Sequence, residues 1–323
     1  MIFPLLLAAA GPAATPPPPM EPLTAEIEAA DADRFAALYE RTGGKPTAEQ
    51  LQRDYLDGGS YGVHVFLEGR IQNAAHLAET IAAKPELYAR AIRTCLPTVK
   101  AMSGELRATY LALHGLLPER SLPHVYLVVG ADNSGGTAGV GAQVLGLEAL
   151  CGIADTPGKL REIVRAFFAH ETVHTFQTDS APDLDTVTDT LLGNVLVEGA
   201  ADFIATLVTG RQIDPARAAW AEPREAMLWK QFTADLAATR RASGSERQRG
   251  TAGGNAFYRW VGNYGRAPEG WPGEAGYWMG QRIWERWYAR QPDKSVAIRR
   301  MLTLDRLDEV LAAGELPAAQ QLR

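Results

Sequence analysis

Two helical segments between Thr156 and Gly210 constrain this chain most, because each has an apolar packing face that also carries ionisable side chains. Thr156-Pro157 opens the first: threonine caps free amide groups, and proline is tolerated at the first helical position. Ile163, Val164, Phe167 and Phe168 then form a wide apolar face that runs into the HETVH of residues 170–174. After a polar connection, DSAPDLD, a second helix is expected from about Val187 to Val208, stopping near Gly210, a good helix terminator. It contains NVLVEGAADFIA, which sets Glu198 among apolar residues and Asp202 four positions later. A carboxylate in such a run is costly unless it is paired or bound to a cation.

Four residues of α-helix rotate by about 400°, which leaves His170 and His174 one turn apart on nearly the same face. Two imidazoles so placed can hold one ion. Zinc suits them: it accepts nitrogen and oxygen ligands at about 2.0–2.2 Å and, in catalytic sites, leaves a position for water. Glu171, beside the first ligand, serves in this motif as the general base on that water. A purely structural zinc would need a fourth protein ligand, and only Glu198 presents itself clearly as a third. The plainer alternative is a pair of polar histidines with no ligand.

HETVH followed by EGAAD resembles the gluzincin metallopeptidases, in which a His-Glu-x-x-His helix is completed by a glutamate on a later helix with an acidic residue one turn on. The resemblance implies one Zn2+ per chain on His170, His174 and Glu198, with Glu171 as general base and a peptide or protein as substrate. It also implies that Asp202 hydrogen-bonds a ligand histidine. Gly199, Ala200 and Ala201 are small enough to let the two metal-bearing helices approach. In gluzincins a tyrosine, histidine or arginine beyond these helices donates a hydrogen bond to the tetrahedral intermediate; Tyr277 is the first choice here, with Arg282 and Tyr258 behind it. Packing within an aromatic region that includes Trp271, Trp278, Trp284 and Trp287 is the competing reading of Tyr277. A wider likeness, to predicted zinc-dependent proteases of uncharacterised bacterial families, rests on YLDGGSYGVHVFLEGRI at 55–71 and GYWMGQRIWERWY at 276–288.

The rest of the chain predicts a mainly α fold with a small β-sheet, α+β in class, and the resemblance implies a gluzincin-like core within it. Residues 1–20 read as a short apolar, proline-rich leader. Residues 21–120 read as a helical region broken at Gly43-Gly44, Gly58-Gly59 and Pro85. Residues 121–237 hold a small sheet and the metal-site helices, 238–255 an exposed loop, and 256–323 a C-terminal helical region that completes the cleft. HVYLVVG is a β-branched and aromatic strand. ADNSGGTAGVGAQVLGLE reads as a glycine-rich turn returning through a second strand, with Gly139 to Val144 either a substrate-facing edge or a flexible hairpin loop.

With 323 residues, 46% hydrophobic, and a formal charge of −6, the chain can bury a large core and lacks the basic footprint of a nucleic-acid or anionic-membrane binder. No segment reads as transmembrane. The leader lacks a charged start but otherwise fits export to the periplasm or outside, with a cytoplasmic location as the alternative. Cys95 and Cys151 fit either one disulfide or two buried thiols, the thiols being the plainer reading. His64, His76, His114 and His124 show no ligand spacing. Besides a zinc peptidase, a non-catalytic zinc- or peptide-binding protein and a helical interaction protein with an accidental HETVH fit the same residues.

Overall fold

The β-branched run HVYLV extends as strand β2 (His124–Val128), and its last four residues are buried. This is the pattern of a strand covered on both faces. In the computed structural model, which describes residues 15–242, 244–263 and 265–315, β2 lies inside a four-stranded sheet. Its order is β1 (Ile27–Glu28), β2, β4 (Ala142–Gly146), β3 (Gly136–Gly139). β1 and β4 flank β2 in parallel, whereas β3 runs antiparallel to β4 with Thr137 opposite Val144. Among the described residues the remaining secondary structure is helical, so the α+β expectation holds.

The glycine-rich segment departs from its expected form. It supplies two strands rather than a turn and one strand, joined by a tight turn at Val140 and Gly141 with Gly141 at φ 65°. Residues 142–144 are therefore not an edge: they lie in β4, hydrogen-bonded on both sides, and the sheet ends on β3. Gly141 permits the turn because a positive φ costs glycine little.

The chain divides into two units, Met1–Thr175 and Phe176–Arg323. In the first, helices α1 (Ala30–Arg41), α2 (Ala74–Ala83) and α3 (Ser103–Leu116) belong to the expected helical region. Its breaks fall where glycine and proline placed them: Gly43 and Gly44 take positive φ after α1, and Pro85 starts a new helix. Helix α4 (Leu147–Gly152) follows β4 and carries the buried Glu148. Its carboxylate accepts the amides of Gly130 (2.9 Å) and Asp132 (3.0 Å), while Tyr88 Oη donates to Gly130 O at 2.7 Å, so the loop leaving β2 is tied down. Burial outweighs those two amides and pushes the Glu148 carboxyl up to about 7. Cys95 and Cys151 form a disulfide, which overturns the buried-thiol reading: folding brings their Cα atoms to 5.9 Å, a closeness that a separation of 56 residues does not disclose.

Helix α5 (Pro157–Ser180) carries HETVH and runs from the first unit into the second. Thr156 caps it as expected, its hydroxyl accepting Lys159 N at 3.1 Å. In the second unit, helix α6 (Leu191–Thr209) starts four residues later than the apolar pattern indicated. Thr190 intervenes as its cap, accepting Gly193 N at 2.9 Å, and residues 184–188 form a separate short helix. α6 ends at Gly210 in the left-handed conformation, as expected. By length and composition it could cross a membrane, but 83% of its apolar window is buried within the protein.

Helices α7 (Pro215–Ala221), α8 (Glu225–Arg241), α9 (Ala252–Tyr258) and α10 (Ala275–Arg290) follow in the same unit, and α10 packs most extensively against α6. The expected loop at 238–255 is shorter than its composition suggested. Leu228, Phe232, Asp235 and Leu236 keep α8 packed, it continues to Arg241, and Thr251 caps α9 through Gly254 N at 3.1 Å. Of the leader, residues 1–14 lie outside the described residues. Pro18 accepts from His124 Nε2 at 2.8 Å and Met20 N donates to Leu122 O at 2.9 Å, so the end of the proline tract lies against the start of β2.

Candidate metal centre

The one-turn spacing of HETVH has the expected result. His170 and His174 are buried, their ring centroids lie 4.6 Å apart at 80°, and their Nε2 atoms face each other at 2.9 Å. Two nitrogens on one tetrahedral zinc stand about 3.3 Å apart when each bond is about 2.0–2.1 Å. The pair is thus within half an ångström of a shared-ion arrangement. Without an ion, the same closeness requires one ring to donate its Nε2–H to the other.

Glu198 completes the group. One ligand atom from each of His170, His174 and Glu198 lies within 4.8 Å of the others, and all three residues are buried. Among the described residues no other set of three or more His, Cys, Asp or Glu side chains meets in this way. His64, His76, His114 and His124 are not members of this group.

Each half of the group is braced within its own unit. In the first, Gln143 Nε2 on β4 donates to Thr172 Oγ1 at 2.7 Å, in the middle of HETVH, and to Tyr110 Oη at 3.0 Å. Tyr110 Oη in turn donates to Pro123 O at 2.7 Å, just ahead of β2. The motif is therefore keyed to the sheet by a buried glutamine. Gly136 of β3 faces Glu171: a Cβ built there would stand 3.2 Å from Glu171 Oε1. Glycine leaves that carboxylate room beside the strand.

In the second unit, the carbonyls preceding Glu198 are held from two directions. Gln177 Nε2, in the last turns of α5, donates to Val197 O at 3.0 Å, and Trp284 Nε1 on α10 donates to Leu196 O at 2.8 Å. Gly199 meets α10: a Cβ there would lie 2.2 Å from the carbonyl carbon of Gly280. Gly199 thus serves a contact with α10 that its local sequence does not disclose.

Tyr277 comes from the first turn of α10 and is buried. Burial, then the charges of Glu198 and Glu274, push its phenol well above the ordinary range, while Arg217 pulls the other way. The phenol therefore stays protonated. Asp202 is also buried, with Arg217 Nη1 at 3.7 Å. The two weaker candidates go elsewhere. Arg282 pairs with Glu225 at 3.1 Å and with Glu285, and Tyr258 lies beneath the Arg249 guanidinium at 3.8 Å.

Arg217 and Glu274 were missed by sequence reasoning. Glu274 sits at φ 56° ahead of α10, where its carboxylate accepts Gly262 N and Asn263 N, each at 2.9 Å, and its own amide donates to Asn263 Oδ1 at 2.8 Å. Burial chiefly pushes its carboxyl up to about 7, and Glu198 adds to the rise. Burial opposes the charge of Arg217, but Asp202 and Asp214 outweigh it and hold the guanidinium above its ordinary value. The only local signal for either residue was Asp214-Pro215 as a helix start, with Asp214 Oδ1 accepting Arg217 N at 2.9 Å. Nothing in that cap indicates how far the Arg217 side chain reaches.

The chain matches no protein-family model, no curated protein and no solved structure.

Proposed function

We propose that the protein is a zinc-dependent hydrolase acting on peptide bonds, with His170, His174 and Glu198 as the metal ligands. The observation that carries this reading is the convergence of two buried imidazoles and a buried carboxylate, whose ligand atoms lie within 4.8 Å of one another. The donor set fits zinc: two neutral nitrogens and one carboxylate oxygen leave a fourth position for water. A carboxylate as buried as Glu198 also needs a cation or close polar partners to offset its desolvation.

When bound, zinc supplies a Lewis acid that lowers the pKa of water at the site towards about 7. Glu171, buried beside the first ligand on the same helix, accepts the proton of the attacking water, then delivers it to the leaving amine. Tyr277, held neutral, donates its O–H to the oxygen on which negative charge develops. Asp202 supports a ligand histidine, as the resemblance to gluzincins implies. The choice of a peptide substrate also rests on that resemblance, since the same groups can hydrolyse other acyl bonds.

The leader and the Cys95–Cys151 disulfide support an exported protein, because such bonds persist in oxidising compartments.

The deciding experiment measures zinc content and peptide-library cleavage on the same purified sample. One zinc per chain with cleavage, both lost on chelation and restored by zinc, supports the proposal. Glu171→Gln should retain zinc and lose activity by about 10²–10⁴-fold. Zinc without cleavage by the parent protein favours a non-catalytic binding protein, and no zinc at all removes the metal site.

A further inference from the structure

A buried arginine with more partners than its own helix requires stands beside Tyr277. Arg217 is the third residue of α7, and Asp214, the cap of that helix, accepts its backbone amide at 2.9 Å. Asp214 Oδ2 also accepts from Arg217 Nε (3.3 Å) and Nη2 (3.1 Å). A cap and a surface ion pair would be complete at that point, with the side chain in water. Instead the residue is buried, at 8% exposure, and its remaining contacts lie on two other helices. Nη1 donates to the Glu274 carbonyl at 3.0 Å, at the entrance to α10, and stands 3.7 Å from Asp202 Oδ2 on α6. Its Cζ lies 4.8 Å from the centre of the Tyr277 ring.

These contacts share one geometric effect. The Glu274 carbonyl and the Tyr277 ring belong to the same helix start, so one planar guanidinium restrains both the backbone that presents Tyr277 and the ring itself. The contact to Asp202 refers that restraint to α6, four residues from Glu198. A planar, permanently charged group can hydrogen-bond in its plane while its charge faces a ring; an ammonium cannot reproduce that combination. The start of α10 needs such support, because Glu274 enters it with a positive φ that non-glycine residues seldom adopt.

We infer that Arg217 is a positioning residue for Tyr277, fixing the phenol relative to Glu198 without touching substrate. The inference rests on the role proposed for Tyr277, and its test has one arm that needs no catalysis. In protein labelled with 3-fluorotyrosine and loaded with zinc, the Tyr277 resonance is assigned by its disappearance in Tyr277→Phe. Arg217→Met should broaden or split that resonance as the asymmetric ring samples further orientations, while most other lines stay in place and zinc remains at one per chain. Arg217→Lys should leave the broadening largely uncorrected. An unchanged Tyr277 line in folded Arg217→Met overturns the inference, whether or not the protein is a hydrolase.

Where the parent protein cleaves peptides, Arg217→Met should lower kcat about 10²-fold with KM changed by less than about 3-fold. The double variant Arg217→Met/Tyr277→Phe should lose no more than Tyr277→Phe alone, since a residue acting through Tyr277 has nothing left to position. Additive losses would mean that Arg217 acts independently of the phenol and would also overturn the inference. If Arg217→Met fails to fold, Arg217→Gln, which keeps a donor towards the Glu274 carbonyl, replaces it in both arms.

Discussion

Gly199 and Gly280 lie back to back. A Cβ on Gly199 would stand 2.2 Å from the Gly280 carbonyl carbon, and a Cβ on Gly280 would stand 1.9 Å from Val195 O. Backbone meets backbone there, so neither side can yield by turning a side chain. The crossing brings α6 and α10, and with them Glu198 and Tyr277, into one packed arrangement.

Gly199→Ala and Gly280→Ala should therefore each destabilise the protein by about 3 kcal/mol or more, beyond the ordinary cost of overpacking. Gly115→Ala is the control: nothing lies within 4 Å of a Cβ there, and the residue is helical. It should leave stability unchanged or raise it by about 0.5 kcal/mol. Urea denaturation of the three variants tests the contrast, and equal effects at positions 115 and 199 would refute the close-approach account.

Zinc should stabilise the folded chain through the same three ligands. At free zinc 100-fold above its Kd, the gain is about 2.7 kcal/mol, seen as a higher Tm after titration of metal-free protein. His170→Ala, His174→Ala and Glu198→Ala should each abolish most of that shift, while Tyr277→Phe should leave it in place.

The pH dependence of stability should carry the signature of Glu148. Its folded-state carboxyl is pushed up to about 7, above the 4.5 of an unfolded glutamate, so the folded protein binds the extra proton. That contribution is complete below about pH 4.5 and is lost as pH rises through about 7, to the extent of about 3 kcal/mol. Glu148→Gln, which keeps an acceptor for the Gly130 or Asp132 amide, should flatten stability between pH 4.5 and 7 when denaturation is followed across that range.

The disulfide should matter chiefly through the unfolded chain. Cys95 and Cys151 close a loop with a separation of 56 residues, for which the loss of unfolded-state entropy amounts to about 4 kcal/mol. Dithiothreitol, or Cys95→Ala with Cys151→Ala, should lower the denaturation midpoint accordingly. An unchanged midpoint would show that the reduced chain stays compact around the bond.

Local patterns were legible where local physics decides. Thr156 and Gly210 mark helix ends because capping and left-handed conformation depend on the residue itself and its near neighbours. His170 and His174 face one another because helical pitch alone puts them there. The start of α6 was misplaced because an apolar run shows hydrophobicity without showing that Thr190 turns its hydroxyl back onto Gly193 N. Strand β3 was missed because glycine-rich sequence has a weak strand signal, and its pairing with β4 is made across the sheet.

The sequence by itself determined that two histidines share a helix face, that a carboxylate lies in an apolar helix downstream, and that a small sheet sits among helices. Each follows from periodicity and composition over a few turns. Tertiary structure alone decided that Glu198 joins the histidines, that Cys95 meets Cys151, that Gly199 serves α10, and that Arg217 reaches Tyr277. Those outcomes depend on which distant segments pack together, and packing is settled by the sum of many weak contacts rather than by the spacing of any one motif.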